Sequence, residues 1–183
     1  GFLYRVDMRL RPWGGVGPLV SSLDGYLGYL RQHARLWEKQ ALLKARVIAG
    51  DEALAAAFMQ QVQPLIFNAT PAEVRASVAS MKQRTESNLR VHGRSWGEVK
   101  LGEGSIRDAE FVAQYLQLAY GDQRPGLRTG KTLEALSHLF SADLITADEF
   151  RTLSDGYIFM RAVEHYLQLM HYRQTSSLPT EPD

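Results

Sequence analysis

Three arginines, Arg5, Arg9 and Arg11, alternate with one aspartate, Asp7, in the stretch YRVDMRLRP. A carboxylate on a strand, set in a polar face, is a common way of holding a divalent metal that bridges nucleotide phosphates. Guanidinium groups on the same face can grip phosphate through paired hydrogen bonds. The plainer alternative is an exposed strand whose charges balance one another, and spacing alone favours it. One carboxylate is also too few for Mg²⁺ chemistry on phosphates, which uses at least two. Any such site at Asp7 must be shared with other residues.

A second constellation is KLGEGSIRDAEF, Lys100 to Phe111. A glycine-containing loop that runs into a helix offers free backbone N–H groups to an anion. Gly102 and Gly104 form only a weak G-x-G signal, with no convincing strand before them. Arg107, Asp108 and Glu110 fall in the first turn, where acidic side chains are stabilising in any helix. Glu110, Gln114 and Gln117 then make a polar stripe, so a plain amphipathic helix accounts for the pattern. Trp37 reads as a core residue, with Glu38 and Arg46 able to pair with neighbouring helices. Arg161, Glu164, Gln168 and His171 form another polar stripe. Neither His165 nor His171 has a partner at metal-ligand spacing, and no nucleophile elbow or P-loop is present.

The elements that carry these residues can be read from periodicity. Phe2, Tyr4, Val6, Met8 and Leu10 alternate with charged residues, as in a half-buried strand ended by Pro12 and the glycines that follow. Ser21 or Ser22 caps a helix carrying Leu23, Tyr26, Leu27 and Leu30. WEKQALLKARVIAG predicts a second helix, closed by Gly50 in the left-handed cap position. DEALAAAFMQQVQPLIF continues as helix until Pro64 kinks or ends it. Thr70-Pro71-Ala72-Glu73 is a capping box that starts a helix reaching Leu89 or Arg90. Ser105 opens the next helix, which Gly121 ends. A short helix covers about Lys131 to Phe140, and a second capping box, Thr146 to Glu149, begins a last helix to about His171. The expected fold is mainly α: a helical bundle of six or seven helices preceded by one strand. Residues 1–20 form the strand and turn, 21–175 the bundle and 176–183 a linker.

Composition excludes several classes. The 183 residues are 45% hydrophobic and 22% charged, as in an ordinary soluble globular domain. A net charge of +1 gives no electrostatic case for nucleic acid or an anionic membrane. No apolar run approaches the ~20 residues that span a bilayer. The absence of cysteine rules out disulfides and thiolate metal sites and fits a reducing, cytoplasmic compartment. Opening in a strand, without a basic and then apolar leader, the chain reads as a processed piece or one cut at a boundary.

RVDMRLRPWGGVGPLVSS, WEKQALLKARVIAGD and KLGEGSIRDAEFVAQYLQL, in that order, resemble the bifunctional glutamine synthetase adenylyltransferase/adenylyl-removing enzymes of bacteria. The resemblance covers nearly the whole chain. It implies an enzyme of two homologous halves, each joining a polymerase β-like nucleotidyltransferase domain to a helical domain. One half attaches AMP to a tyrosine of glutamine synthetase, the other removes it by phosphorolysis, and PII signal proteins and glutamine set the balance. Mg²⁺ and ATP or ADP are the implied cofactors, and glutamine synthetase and PII protein the implied partners.

Under this resemblance residues 1–20 are the last strand and turn of a nucleotidyltransferase sheet. Asp7 matches the family's third active-site acid, a catalytic metal ligand. Arg9 and Arg11 match arginines with phosphate-binding or structural roles. The other two acids belong to a G-S-x-x-D-x-D type motif that this chain does not contain. Ser105 departs from the usual GGIRD, which reads GSIRD here. The closing stretch YIFMRAVEHYLQLMHYRQTSSLP is more similar to the N-terminal, AMP-removing half. The alternative is a non-catalytic helical module that docks glutamine synthetase or PII protein.

Overall fold

A computed structural model of the chain describes residues 7–171 and 175–179. The chain divides into two compact units, residues 1–68 and 69–183. Seven α-helices and no strand are present among the described residues.

In the first unit, α1 spans Leu23–Gln32, α2 Leu36–Leu42 and α3 Glu52–Ile66. Ser22 caps α1, its hydroxyl accepting from the Gly25 N–H, and Asp51 does the same for α3 through the Leu54 N–H. Leu27 and Leu30 of α1 and Val62 and Ile66 of α3 are buried three to four residues apart, as the helical repeat requires. Tyr26 meets Phe58 edge to face, with centroids 5.3 Å apart, and links α1 to α3. Pro64 lies inside α3 and is exposed; the helix runs two residues past it rather than ending there.

Three expectations for this unit are corrected. Residues 1–6 of the expected strand lie outside the described residues, and from Asp7 to Leu10 the backbone pairs with no strand. Alternation marks a strand only where a neighbour can take up its N–H and C=O groups. Here local bonds take them instead: the Arg9 N–H donates to the Asp7 carboxylate at 3.0 Å, the Arg11 N–H to the Arg9 carbonyl at 3.0 Å, and the Arg11 side chain to the Met8 carbonyl. A turn then leads into a single 3₁₀ turn, Gly14–Val16. The second correction is α2, which stops at Leu42 rather than near Gly50. Val47 and Ile48 are exposed, so nothing packs on a continuation, and an isolated helix of that length is marginal. The third is Trp37, which is 44% exposed and does not enter the core.

In the second unit, α4 is Pro71–Val91, α5 Ile106–Tyr120, α6 Thr132–Ser141 and α7 Ala147–His171. Both capping boxes form as the local sequence predicts. The Glu73 carboxylate accepts the Thr70 N–H at 2.9 Å, and the Glu149 carboxylate accepts the Thr146 N–H at 2.7 Å. α5 packs against α4, α6 and α7. The core joins Ala113 of α5 to Ala135, Leu136 and Leu139 of α6, with Leu127 and Ile145 from the flanking connections. Phe140 stacks on Phe150 at its edge, centroids 5.2 Å apart. Each leucine sealed here contributes roughly 1.5–3 kcal/mol relative to exposure.

Candidate functional site

Asp7 and Arg9 form an exposed, doubly bonded ion pair. The Arg9 Nε lies 2.9 Å from one carboxylate oxygen of Asp7, and a terminal nitrogen lies 2.5 Å from the other. The hydrogen bond and then the charge of Asp7 raise the Arg9 pKa above its ordinary value. The side chains remain 75% and 45% exposed, so water competes for both. Arg11 sits differently. Its guanidinium donates to the carbonyls of Met8, Gly15 and Gly17, the last at 3.2 Å, and so clamps the glycine turn around Trp13. Asp7 can offer a cation one carboxylate. No group of three or more His, Asp or Glu side chains that could hold a metal exists among the described residues.

The loop from Gly97 to Ser105 is the other chemistry-bearing region, and its polar groups turn inward. Ile106 and Arg107 donate their N–H groups to the carbonyls of Val99 and Lys100, and the Ser105 hydroxyl donates to Lys100 at 2.9 Å. Asp108 accepts from the Gly104 N–H at 2.9 Å and from the Lys82 ammonium of α4 at 2.5 Å. Lys82 also meets Glu86 at 2.8 Å. Burial pulls the Lys82 pKa down, but the bonds to Asp108 and Glu86 outweigh it and hold it above its ordinary value. The first-turn acid of α5 thus ties the loop to α4. Arg107 lies over the Phe111 ring, 5.5 Å from its centroid. A cavity beside the loop, lined by Glu86, Leu89, Arg90, Ser95, Gly102 and Glu103, holds about 210 Å³. That is small beside the roughly 300–1,000 Å³ of a ligand pocket.

Two buried carboxylates are missed by a sequence reading. The Glu98 side chain is fully buried, accepting from the Lys100 and Leu101 N–H groups. Glu164 of α7, 2% exposed, faces the Lys100 ammonium at 3.2 Å and the Arg161 guanidinium at 2.6 Å. The polar stripe through Arg161 and Glu164 therefore faces the loop rather than water. Gln117 is likewise buried, its amide donating to the Leu127 and Thr129 carbonyls to shape the α5–α6 connection. Glu38 accepts from the Tyr29 hydroxyl at 2.8 Å, joining α2 to α1 as expected of a residue that pairs with a neighbouring helix. Burial and then that bond raise the Tyr29 pKa.

Residues 1–61 match the family model of glutamate-ammonia ligase adenylyltransferase. Residues 73–183, more than half of the chain, match that of GlnD PII-uridylyltransferase. Both models carry the names of enzymes that transfer nucleotidyl groups. Its relatives include proteins named bifunctional glutamine synthetase adenylyltransferase/adenylyl-removing enzyme. The one from Acinetobacter baylyi is 37% identical over 100% of this chain and 20% of its own length. Those from Mycolicibacterium smegmatis and Streptomyces coelicolor are 38% and 37% identical over 98% and 99% of this chain, and 18% of their own length. The chain belongs to the bifunctional glutamine synthetase adenylyltransferase family. It spans about a fifth of the length of the curated relatives it matches. No helix among the described residues is long and apolar enough to cross a membrane.

Proposed function

We propose that this chain is the helical part of one half of an enzyme that adds AMP to, or removes it from, a tyrosine of glutamine synthetase. The observation that carries the proposal is the alignment of the chain, end to end, with relatives bearing that name. In this reading Asp7 is a metal ligand presented to a nucleotidyltransferase site whose two other carboxylates lie outside the chain. Its exposed carboxylate, held by a pair that water already weakens, supports that role. Mg²⁺ bound there would neutralise charge on the phosphates of ATP or ADP. In the same reading Arg9, exposed beside Asp7, contacts a phosphate. Arg11 serves first to shape the turn that follows. PII protein, named in the second family model, is the proposed regulatory partner.

Asp7→Asn in the full-length parent tests this. The variant is expected to lose on the order of a hundredfold or more in AMP addition or removal. Its circular dichroism and thermal midpoint should stay unchanged, because the side chain is exposed. Parental turnover at saturating Mg²⁺ overturns the assignment.

A further inference from the structure

After α7 the chain returns to the loop. Residues 175–179 lie antiparallel to residues 97–99: the Val99 N–H donates to the Ser176 carbonyl at 2.8 Å, and the Leu178 N–H to the Gly97 carbonyl at 2.9 Å. Between these two bonds the Ser177 hydroxyl donates to one oxygen of Glu98 at 3.2 Å. The other oxygen of the same carboxylate accepts the Lys100 N–H at 3.1 Å and the Leu101 N–H at 3.3 Å. One fully buried carboxylate therefore connects the returning segment on one side to the start of the glycine loop on the other.

The fit is close on both sides of that carboxylate. A Cβ on Gly97, whose φ is +69°, would stand 2.9 Å from the Leu178 Cβ. A Cβ on Gly102 would stand 2.7 Å from the Glu98 carbonyl oxygen. Glycine is required at Gly97 for conformation and contact, and at Gly102 for contact. A buried carboxylate must keep its donors, because an unsatisfied charge away from water is costly. If the returning segment lifts, Glu98 loses the Ser177 donor, and that oxygen keeps the Arg94 guanidinium at 4.0 Å. Water then reaches the carboxylate and competes for it against the two loop amides.

We propose that residues 175–179 are a strap whose docking on Gly97–Val99 sets the shape of the Lys100–Ser105 loop through Glu98. The strap is a short segment held by two backbone bonds, so it belongs to the part of a fold that opens locally before the core does. Tension on the segment following α7 is thereby relayed to the N-terminal turn of α5. This inference concerns the chain itself and does not depend on the nucleotide chemistry proposed above.

Amide hydrogen exchange on the 183-residue chain tests it. Leu178→Pro removes the N–H that bonds Gly97, and a chain ending at Gln174 removes the strap outright. Both are expected to speed exchange at the Lys100 and Leu101 amides by about tenfold or more. The core amides of Leu136 and Leu139 should keep parental protection. Unchanged exchange at Lys100 and Leu101, in either variant that retains the core protection, overturns the proposal. Loss of core protection in both variants overturns it too, because the segment would then hold the whole unit together rather than shape the loop.

Discussion

The Glu164 carboxylate, 2% exposed, is shared between Lys100, 3.2 Å away on the loop, and Arg161, 2.6 Å away and one turn back on α7. The Lys100 contact is a charge contact more than an aligned hydrogen bond, since the Glu164 oxygen it faces takes part in no hydrogen bond of good geometry. Either cation alone can keep the buried charge compensated. Lys100→Met and Arg161→Met are therefore expected to cost about 0.5–1 kcal/mol each, both cations being partly solvated. The double variant strands an unpaired buried carboxylate and should cost about 3–5 kcal/mol, well above the sum. Urea unfolding of the four species measures the coupling, and simple additivity counts against shared compensation.

Gly17 and Pro12 make a sharper steric claim. A Cβ at Gly17 would lie 1.9 Å from the Pro12 carbonyl oxygen, which no side-chain adjustment can relieve because the obstacle is backbone. Gly17→Ala must open the turn that Arg11 clamps. The expected cost is about 1–3 kcal/mol, the range of an overpacked site, seen as a lower thermal midpoint. Gly15→Ala is the control, since a Cβ there meets nothing within 4 Å.

How much of this could be read beforehand follows from the range of the interactions. The boxes at Thr70–Glu73 and Thr146–Glu149 close within four residues, so α4 and α7 begin where the sequence places them. Ser22 marks the start of α1 for the same reason, whereas Ser105 stands at the start of α5 without a side-chain capping bond and donates back to Lys100. Glu98, Lys100 and Glu164 were opaque because Ser177 meets Glu98, and Lys100 meets Glu164, across long stretches of chain, and a polar stripe looks the same whether it faces water or a buried cation. The alternation from Phe2 to Leu10 carries no information about whether a neighbouring strand is there to pair with. Trp37 misleads through composition: tryptophan is usually buried, but α2 is too short to wrap it. Asp7 was a candidate by type, and the charge balance that its spacing favours forms as the pair with Arg9.

Acid should act on the start of α7. The Glu149 carboxylate accepts the Thr146 N–H and then the Thr146 hydroxyl, and these bonds hold its pKa below the ordinary 4.5. A carboxyl depressed in the folded state adds stability that is fully present above its unfolded pKa and is lost as pH falls through the folded value. The parent chain is therefore expected to exceed Glu149→Gln in stability at neutral pH. The gap should close as pH drops below 4.5 through the lowered value. Urea midpoints for both proteins across that interval check the sign; a gap that widens on acidification contradicts it.

The two arginines flanking Leu10 should separate by phenotype. Arg11 spends its donors on the carbonyls of Met8, Gly15 and Gly17, so Arg11→Met removes the clamp and leaves those carbonyls to water or to nothing. The expected result is a thermal midpoint several degrees lower, in keeping with the roughly 1–3 kcal/mol of an unsatisfied group. Arg9 touches Asp7 alone among the hydrogen bonds described for its side chain, and is 75% exposed, so Arg9→Met should leave the midpoint unchanged. In the full-length parent the same substitution is expected to raise the nucleotide KM by roughly tenfold, the share of one charged phosphate contact. Differential scanning calorimetry of both variants, paired with steady-state kinetics on the parent, separates the roles. Equal midpoints with equal KM values would mean that neither arginine does what its position implies.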